Sequence, residues 1–447
     1  MGIKHVATMT FLVGGVSLLA PHAASACSSR TVCVTWKSQI QDDDVGESVV
    51  LGEAIPARGA KVTLIPPTPE HPVNTFLDQD GCVTFETQYA YGHKLIVHNE
   101  AWVGTLDPLD LTRVRVIREP ERFEYQEDFI WVVDLHGLAP DDTVNVSIEP
   151  EEGDPIGPLM AVSTAVMHQF YELDIMPSAP YFWGTKPTLE IIYTDYKANA
   201  NGACRTVSLG PDSRREKFVM AHEMGHWLKC EWGGDFGSYD DYVTYDYPSD
   251  DPDCQFDVVM GEIPSGAGSH GIRSAEWSLP AMNEGFAHLV ASITFNDFAD
   301  PSNLESEDGI FQYYKDINLE SVPAYADFVN VGKSRVSLLG TGSLGGQNRW
   351  VDQKCNADWT EEHVSSELDW MRFFWYLLTH EGDAPTLREV LAWMDFARDD
   401  PITYVFDLVN VYSALLLAAE DSDMEPFVER IEDANCEHGV YNGTSCQ

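Results

Sequence analysis

Two histidines four residues apart, His222 and His226, bracket a glutamate, Glu223, and another carboxylate, Glu284, follows within Asn283-Glu284-Gly285-Phe286-Ala287. On a helix, positions i and i+4 lie on one face, so the two imidazoles would point at one spot. Imidazole nitrogen and carboxylate oxygen are zinc donors, and a site with three protein donors keeps a fourth position for water. Zinc lowers the pKa of such a water from about 15.7 to roughly 7, so a neighbouring carboxylate can take its proton. Glu223 stands in the place of that general base. The competing reading is a coincidental pair of structural histidines in a chain with 14 of them.

The surrounding sequence has to place His222 to His226 on a helix. Pro211-Asp212-Ser213 reads as a stop-and-start signal, and Ser213 with Glu216 forms a candidate capping box. Phe218, Val219, Met220, Ala221 and Trp227 then supply apolar faces. Gly225 costs about 1 kcal/mol relative to alanine inside a helix. A glycine between two ligands makes sense where another backbone or a substrate passes close by.

His222-Glu223-Met224-Gly225-His226 with Asn283-Glu284-Gly285-Phe286-Ala287 resembles the gluzincin zinc metallopeptidases. The resemblance implies that Glu284, on a later helix, is the third metal ligand beside His222 and His226. It also implies that zinc is the cofactor and that a peptide or protein is the substrate. The metzincin pattern is disfavoured, because its glycine and third histidine are replaced by Lys229 and Trp232. The Asn-Glu-Gly-Phe-Ala wording is similar to the membrane alanyl aminopeptidases, but no Gly-x-Met-Glu-Asn segment precedes His222. In the thermolysin-like branch an aspartate four residues after the glutamate ligand orients a zinc histidine, and here that place holds His288. His288 either contacts the site or is a satisfied core histidine. The family also uses a tyrosine or histidine to stabilise the oxyanion. Tyr376 and His380, four apart at the end of an aromatic run, are the candidates, with His270 a weaker one. Aromatics at that spacing are otherwise core residues.

Lys4, an apolar run from Val6 to Ala20 and Ala24-Ser25-Ala26 before Cys27 have the layout of a secretory signal peptide. The run is too short to span a bilayer, and no later segment is long and apolar enough to do so. The expected location is secreted or cell-envelope. Nine cysteines lie at or after the cleavage point. An odd number is accounted for if Cys27 carries a lipid anchor and the other eight form disulfides. Ala24, standing where a lipobox usually has leucine, speaks against the anchor. Cys230 with Cys254 and Cys436 with Cys446 are plausible local pairs.

A formal net charge of −45 makes nucleic acid and anionic membrane surfaces poor partners. Calcium is a second cofactor candidate, because Asp240, Asp241, Asp246, Asp250, Asp251 and Asp253 gather between Asp235 and Asp257. The spacing is not that of an ordered calcium loop, which favours a solvated acidic loop.

The expected fold is α+β. Residues 1–26 form the signal peptide, residues 27–158 a β-sandwich accessory domain, and residues 159–447 a mainly helical, gluzincin-like catalytic domain with a small sheet. The β-rich part is read from Ala60 to Ile65, Cys82 to Glu86, Lys94 to His98, Val114 to Ile117, Phe129 to Leu135 and Thr143 to Ile148. Leu159 to Leu173 reads as a helix, and Thr188 to Tyr196 and Arg205 to Leu209 as strands. By resemblance, Arg205 to Leu209 is the edge along which a substrate backbone aligns. Thr386 with Glu389 and Ser422 with Glu425 fit capping boxes of late helices. Two functions fit these features. One is an exported zinc peptidase, taken as an endopeptidase; the other is a surface binding protein that kept the zinc scaffold without turnover.

Overall fold

Alternation of side chains builds the first half of the chain. In β1 (Ser28–Asp42), Arg30, Val32, Val34 and Trp36 are buried while Thr31, Cys33 and Thr35 between them are half-exposed. This computed structural model describes residues 28–42, 48–67, 71–87, 92–104, 111–118, 130–135, 143–148, 156–173, 175–176, 187–194, 201–202, 206–210, 217–233, 276–295, 364–365, 367–379, 384–399, 411–421, 425–438 and 440. The segment expected to be a signal peptide and Cys27, the acidic stretch from Asp235 to Asp257, His270 and His380 lie outside the described residues, as do Ser213, Glu216 and Ser422 of the expected capping boxes.

β1 is the hub of a four-stranded sheet. It pairs antiparallel with β2 (Ser48–Pro56) and β5 (Cys82–Thr87), and parallel with β9 (Thr143–Ile148). Cys33 is disulfide-bonded to Cys82, its register partner across the β1–β5 ladder. Gly81 sets the turn before β5. Its φ of 73° suits the left-handed region, and a Cβ there would lie 2.6 Å from the Val34 carbonyl oxygen. The Asp78 side chain closes the same turn by accepting the backbone N–H groups of Asp80 and Cys82.

The second sheet has eight strands. Along it run β11 (Asn201–Gly202), β12 (Thr206–Leu209), β10 (Thr188–Tyr193), β7 (Leu111–Arg118), β6 (His93–Gly104), β3 (Ala60–Ile65) and β4 (Val73–Phe76), with β8 (Ile130–Leu135) also on β6. The two sheets meet where Trp36 of β1 and Trp131 of β8 pack edge-on with ring centroids 5.0 Å apart. The expected division at residue 158 falls in the first turn of α1 (Ile156–Glu172), where a proline is tolerated. One sheet takes strands from both sides of that point, because β7 and β10 pair in parallel. α1 packs on β1, β6 and β7, and the Tyr171 hydroxyl bonds Thr112 at 2.8 Å. The edge near the helices is β11, which covers β12 at Val207 and Ser208, so the strand read from Arg205 to Leu209 is not itself the free edge.

The second half is helical, and the chain as a whole is α+β, with its β-rich part first. Its helices are α2 (Lys217–Leu228), continued by a π-turn (Lys229–Gly233), then α3 (Ser278–Phe295) and α4 (Glu367–Thr379). α5 (Leu387–Asp399), α6 (Val411–Asp421) and α7 (Glu425–His438) follow. α3 is buried continuously from Ala281 to Thr294, so it is the central helix, with α2 on one side and α4 on another. Short β13 (Glu276–Trp277) and β14 (Val364–Ser365) pair just ahead of α3 and α4 and hold their starts together. Phe286 of α3 stacks edge-on with Phe374 of α4 at 5.4 Å. Such pairs are worth about 0.5–1.5 kcal/mol beyond their burial. Cys230 and Cys436 are each in a disulfide, and the partners expected for them, Cys254 and Cys446, lie outside the described residues. Among the described residues, no helix is long and apolar enough to cross a membrane.

Candidate metal centre

His222 and His226 lie one turn apart on α2, and Glu284 comes from the start of α3. The packing of these helices brings three donor atoms together. His222 Nε2 lies 2.9 Å from Glu284 Oε2, His226 Nε2 lies 3.3 Å from the same oxygen, and the two Nε2 atoms are 3.2 Å apart. Donors about 2.0–2.2 Å from a tetrahedral zinc are separated by roughly 3.4 Å, so the triangle has the size a metal ion requires. These three side chains could hold a metal ion.

Two glycines explain how the helices come this close. A Cβ on Gly225, between the two histidines, would lie 3.0 Å from Ala287 Cα and 3.1 Å from Val290 Cβ on α3. The backbone that the sequence reading required near Gly225 is therefore that of α3. Gly285, next to Glu284, does the same against α4, where an added Cβ would lie 2.5 Å from the Glu367 carbonyl oxygen and 2.6 Å from Trp370 Cβ. A further buried tie joins α2 to α3. The ammonium of Lys229, in the π-turn, donates to the Asn283 side-chain oxygen, next to Glu284 in the chain.

Glu223 follows His222 on α2 and is buried, 7% exposed. His288 is at the site. Its ring lies 4.3 Å from that of His222, and its Nε2–H donates to Glu367 Oε2 at 2.9 Å. Burial, reinforced by the neighbouring His222, pushes the His288 pKa from 6.5 down to about 4, although Glu367 and Glu284 pull the other way. Glu367 is the residue that sequence reading did not find. It opens α4, and nothing in its spacing ties it to α3. The available signal was a polar set, Glu367, Asp369 and Arg372, in an otherwise apolar aromatic helix, and all of them are buried. Tyr376 lies half-buried on α4 against the hydrophobic core, and His380 is outside the described residues.

The electrostatics suit a cation. On α2, the π-turn, α3 and α4, the buried carboxylates are Glu223, Glu284, Glu367 and Asp369, and the buried strong cations are Lys229 and Arg372. Among these described residues carboxylates outnumber strong cations four to two, surroundings that suit a bound cation. No protein-family model matches this chain, and no curated protein sequence matches it.

Proposed function

We propose that the protein is a zinc-dependent peptidase of the gluzincin type, exported from the cell, which hydrolyses peptide bonds within protein or peptide substrates. The observation carrying this reading is the convergence of His222 Nε2, His226 Nε2 and Glu284 Oε2 within 3.3 Å of one another, with a buried carboxylate, Glu223, adjoining one of them in the chain. Two neutral imidazoles and one carboxylate are the donor set of a hydrolytic zinc site. When bound there, zinc supplies Lewis acidity and an acidified water.

The chain's own residues divide the remaining work. His222, His226 and Glu284 would hold the ion. Glu223 accepts the proton lost by the attacking water and later returns it to the nitrogen of the leaving amine. The fit of the group to the site rests on donor chemistry, spacing and charge, and each can be tested apart from turnover.

The deciding experiment replaces Glu223 with glutamine, which is close in shape but cannot accept the proton. Zinc content should remain one per chain, while cleavage of a broad peptide library falls by at least about 100-fold, the lower end expected for loss of a general base. Undiminished cleavage in that variant would remove Glu223 from its role. Stoichiometric zinc with no cleavage even in the unaltered chain would favour the zinc-scaffold binding protein.

A further inference from the structure

We infer that His288 and Glu367 act as a unit that positions the metal ligands, with Glu367 fixing His288 and His288 bracing both His222 and Glu284. The inference rests on the metal reading above and adds a role for two residues that do not hold the ion. His288 lies four residues beyond Glu284 on α3, so the two side chains share a face. Glu284, His288 and Glu367 each bring a donor atom within 4.8 Å of the others, all buried.

Consider what holds each ring in place. His222 turns Nε2 toward Glu284 and His226, and its ring plane is tilted by 46° against His288, with centroids 4.3 Å apart. Rotation of His222 away from the ligand triangle would drive it into His288. His288 cannot yield, because its Nε2–H is held by a carboxylate at 2.9 Å whose side chain is 2% exposed. Glu367 is fixed in turn as the first residue of α4, against which Gly285 brings the α3 backbone. The chain of contacts therefore runs from α4 through His288 to His222, with a donor atom of Glu284 within 4.8 Å of His288 as well. Partners of this kind orient metal-bound imidazoles and typically set affinity by 10–100-fold.

The same three groups could instead hold a second ion. Glu284 is common to both groups and is engaged in the first, which leaves a second ion only His288 and Glu367 as ligands of its own.

The test measures zinc on the full chain by chelator competition, together with the absorption spectrum of the cobalt-substituted protein. His288→Ala and the near-isosteric Glu367→Gln should each weaken zinc binding by about 10–100-fold at a retained stoichiometry of one. Each should also shift the cobalt spectrum, which reports ligand geometry and which a merely packing role would not move. The double variant should be no weaker than the worse single one, because residues acting as a unit are not additive. Unchanged affinity and spectrum in Glu367→Gln, a variant that keeps the shape of the core, would overturn the inference while leaving the metal reading standing. So would two ions per chain in the unaltered protein falling to one in His288→Ala. An unaltered chain that binds no zinc would overturn the metal reading and this inference together.

Discussion

Glu284 ties the stability of the fold to what its carboxylate meets. It is 5% exposed, and the Nε2 atoms of His222 and His226 lie 2.9 and 3.3 Å from its Oε2. Glutamine keeps the shape of the side chain and a hydrogen-bonding oxygen but loses the charge that would draw a cation. Glu284→Gln is therefore expected to leave the metal-free melting temperature nearly unchanged and to abolish the rise on adding zinc. The unaltered chain should show a large zinc-induced increase, since a ligand that binds only the folded state stabilises it by mass action. Thermal unfolding with and without zinc checks both. A variant still stabilised by zinc as strongly as the unaltered chain would mean that Glu284 is not a ligand.

At the level of elements, the site depends on how near three helices can lie. An added methyl at Gly285 meets two backbone atoms, the Glu367 carbonyl oxygen at 2.5 Å and the Met371 nitrogen at 2.8 Å, which cannot move independently of α4. At Gly225 the closest approach is 3.0 Å, and one of the neighbours is a side-chain carbon. Gly285→Ala should thus cost about 2–3 kcal/mol or more, and Gly225→Ala about 1 kcal/mol, by overpacking. Denaturant unfolding should return that order, and a reversed order would mean that α3 is held closer to α2 than to α4. α5 offers a milder case: Thr386 and Glu389 form a reciprocal cap, the Glu389 carboxylate accepting the Thr386 N–H at 2.7 Å and the Thr386 hydroxyl accepting the Glu389 N–H at 3.2 Å. Thr386→Ala should cost about 1 kcal/mol. The cap was legible from residue types because it is local, and so were the strand from Ala60 to Ile65 and the histidine pair on α2. What could not be read was whatever depends on separate segments meeting. Glu367 touches His288 only because Gly285 allows α4 to pack on α3, and β7 pairs with β10 across the intervening α1. β1 escaped notice because its alternating residues, Thr31, Cys33 and Thr35 against Val32, Val34 and Trp36, are weakly polar on their outer face.

Across the whole molecule, a net charge of −45 makes self-repulsion the background against which every titration acts, and it should ease as pH falls and carboxylates begin to protonate. Two described groups outside the site oppose that gain, in different windows. Glu100 is pushed up by burial, but the hydrogen bond and charge of Arg113, with help from Lys61, outweigh this and hold it below its usual 4.5. Its contribution is full above that value and is lost only as pH drops further. His168, on α1, is lowered from 6.5 to about 4, first by burial and then by the nearby Arg58 guanidinium. With its folded pKa depressed, the unfolded chain takes up this proton at a higher pH than the folded one does. The stability it contributes is therefore complete above 6.5 and declines as pH falls toward 4. His168→Gln keeps a polar side chain at this half-buried place without the titration. The difference in unfolding free energy between variant and unaltered chain, measured in urea, should shift in favour of the variant by about 1–2 kcal/mol between pH 7 and pH 5. Glu100 is still ionised over that range and contributes nothing to the shift. A difference that stays constant from pH 7 to 5 would show that His168 titrates in the folded protein as it does in the unfolded chain, and that its burial on α1 leaves the proton free to bind.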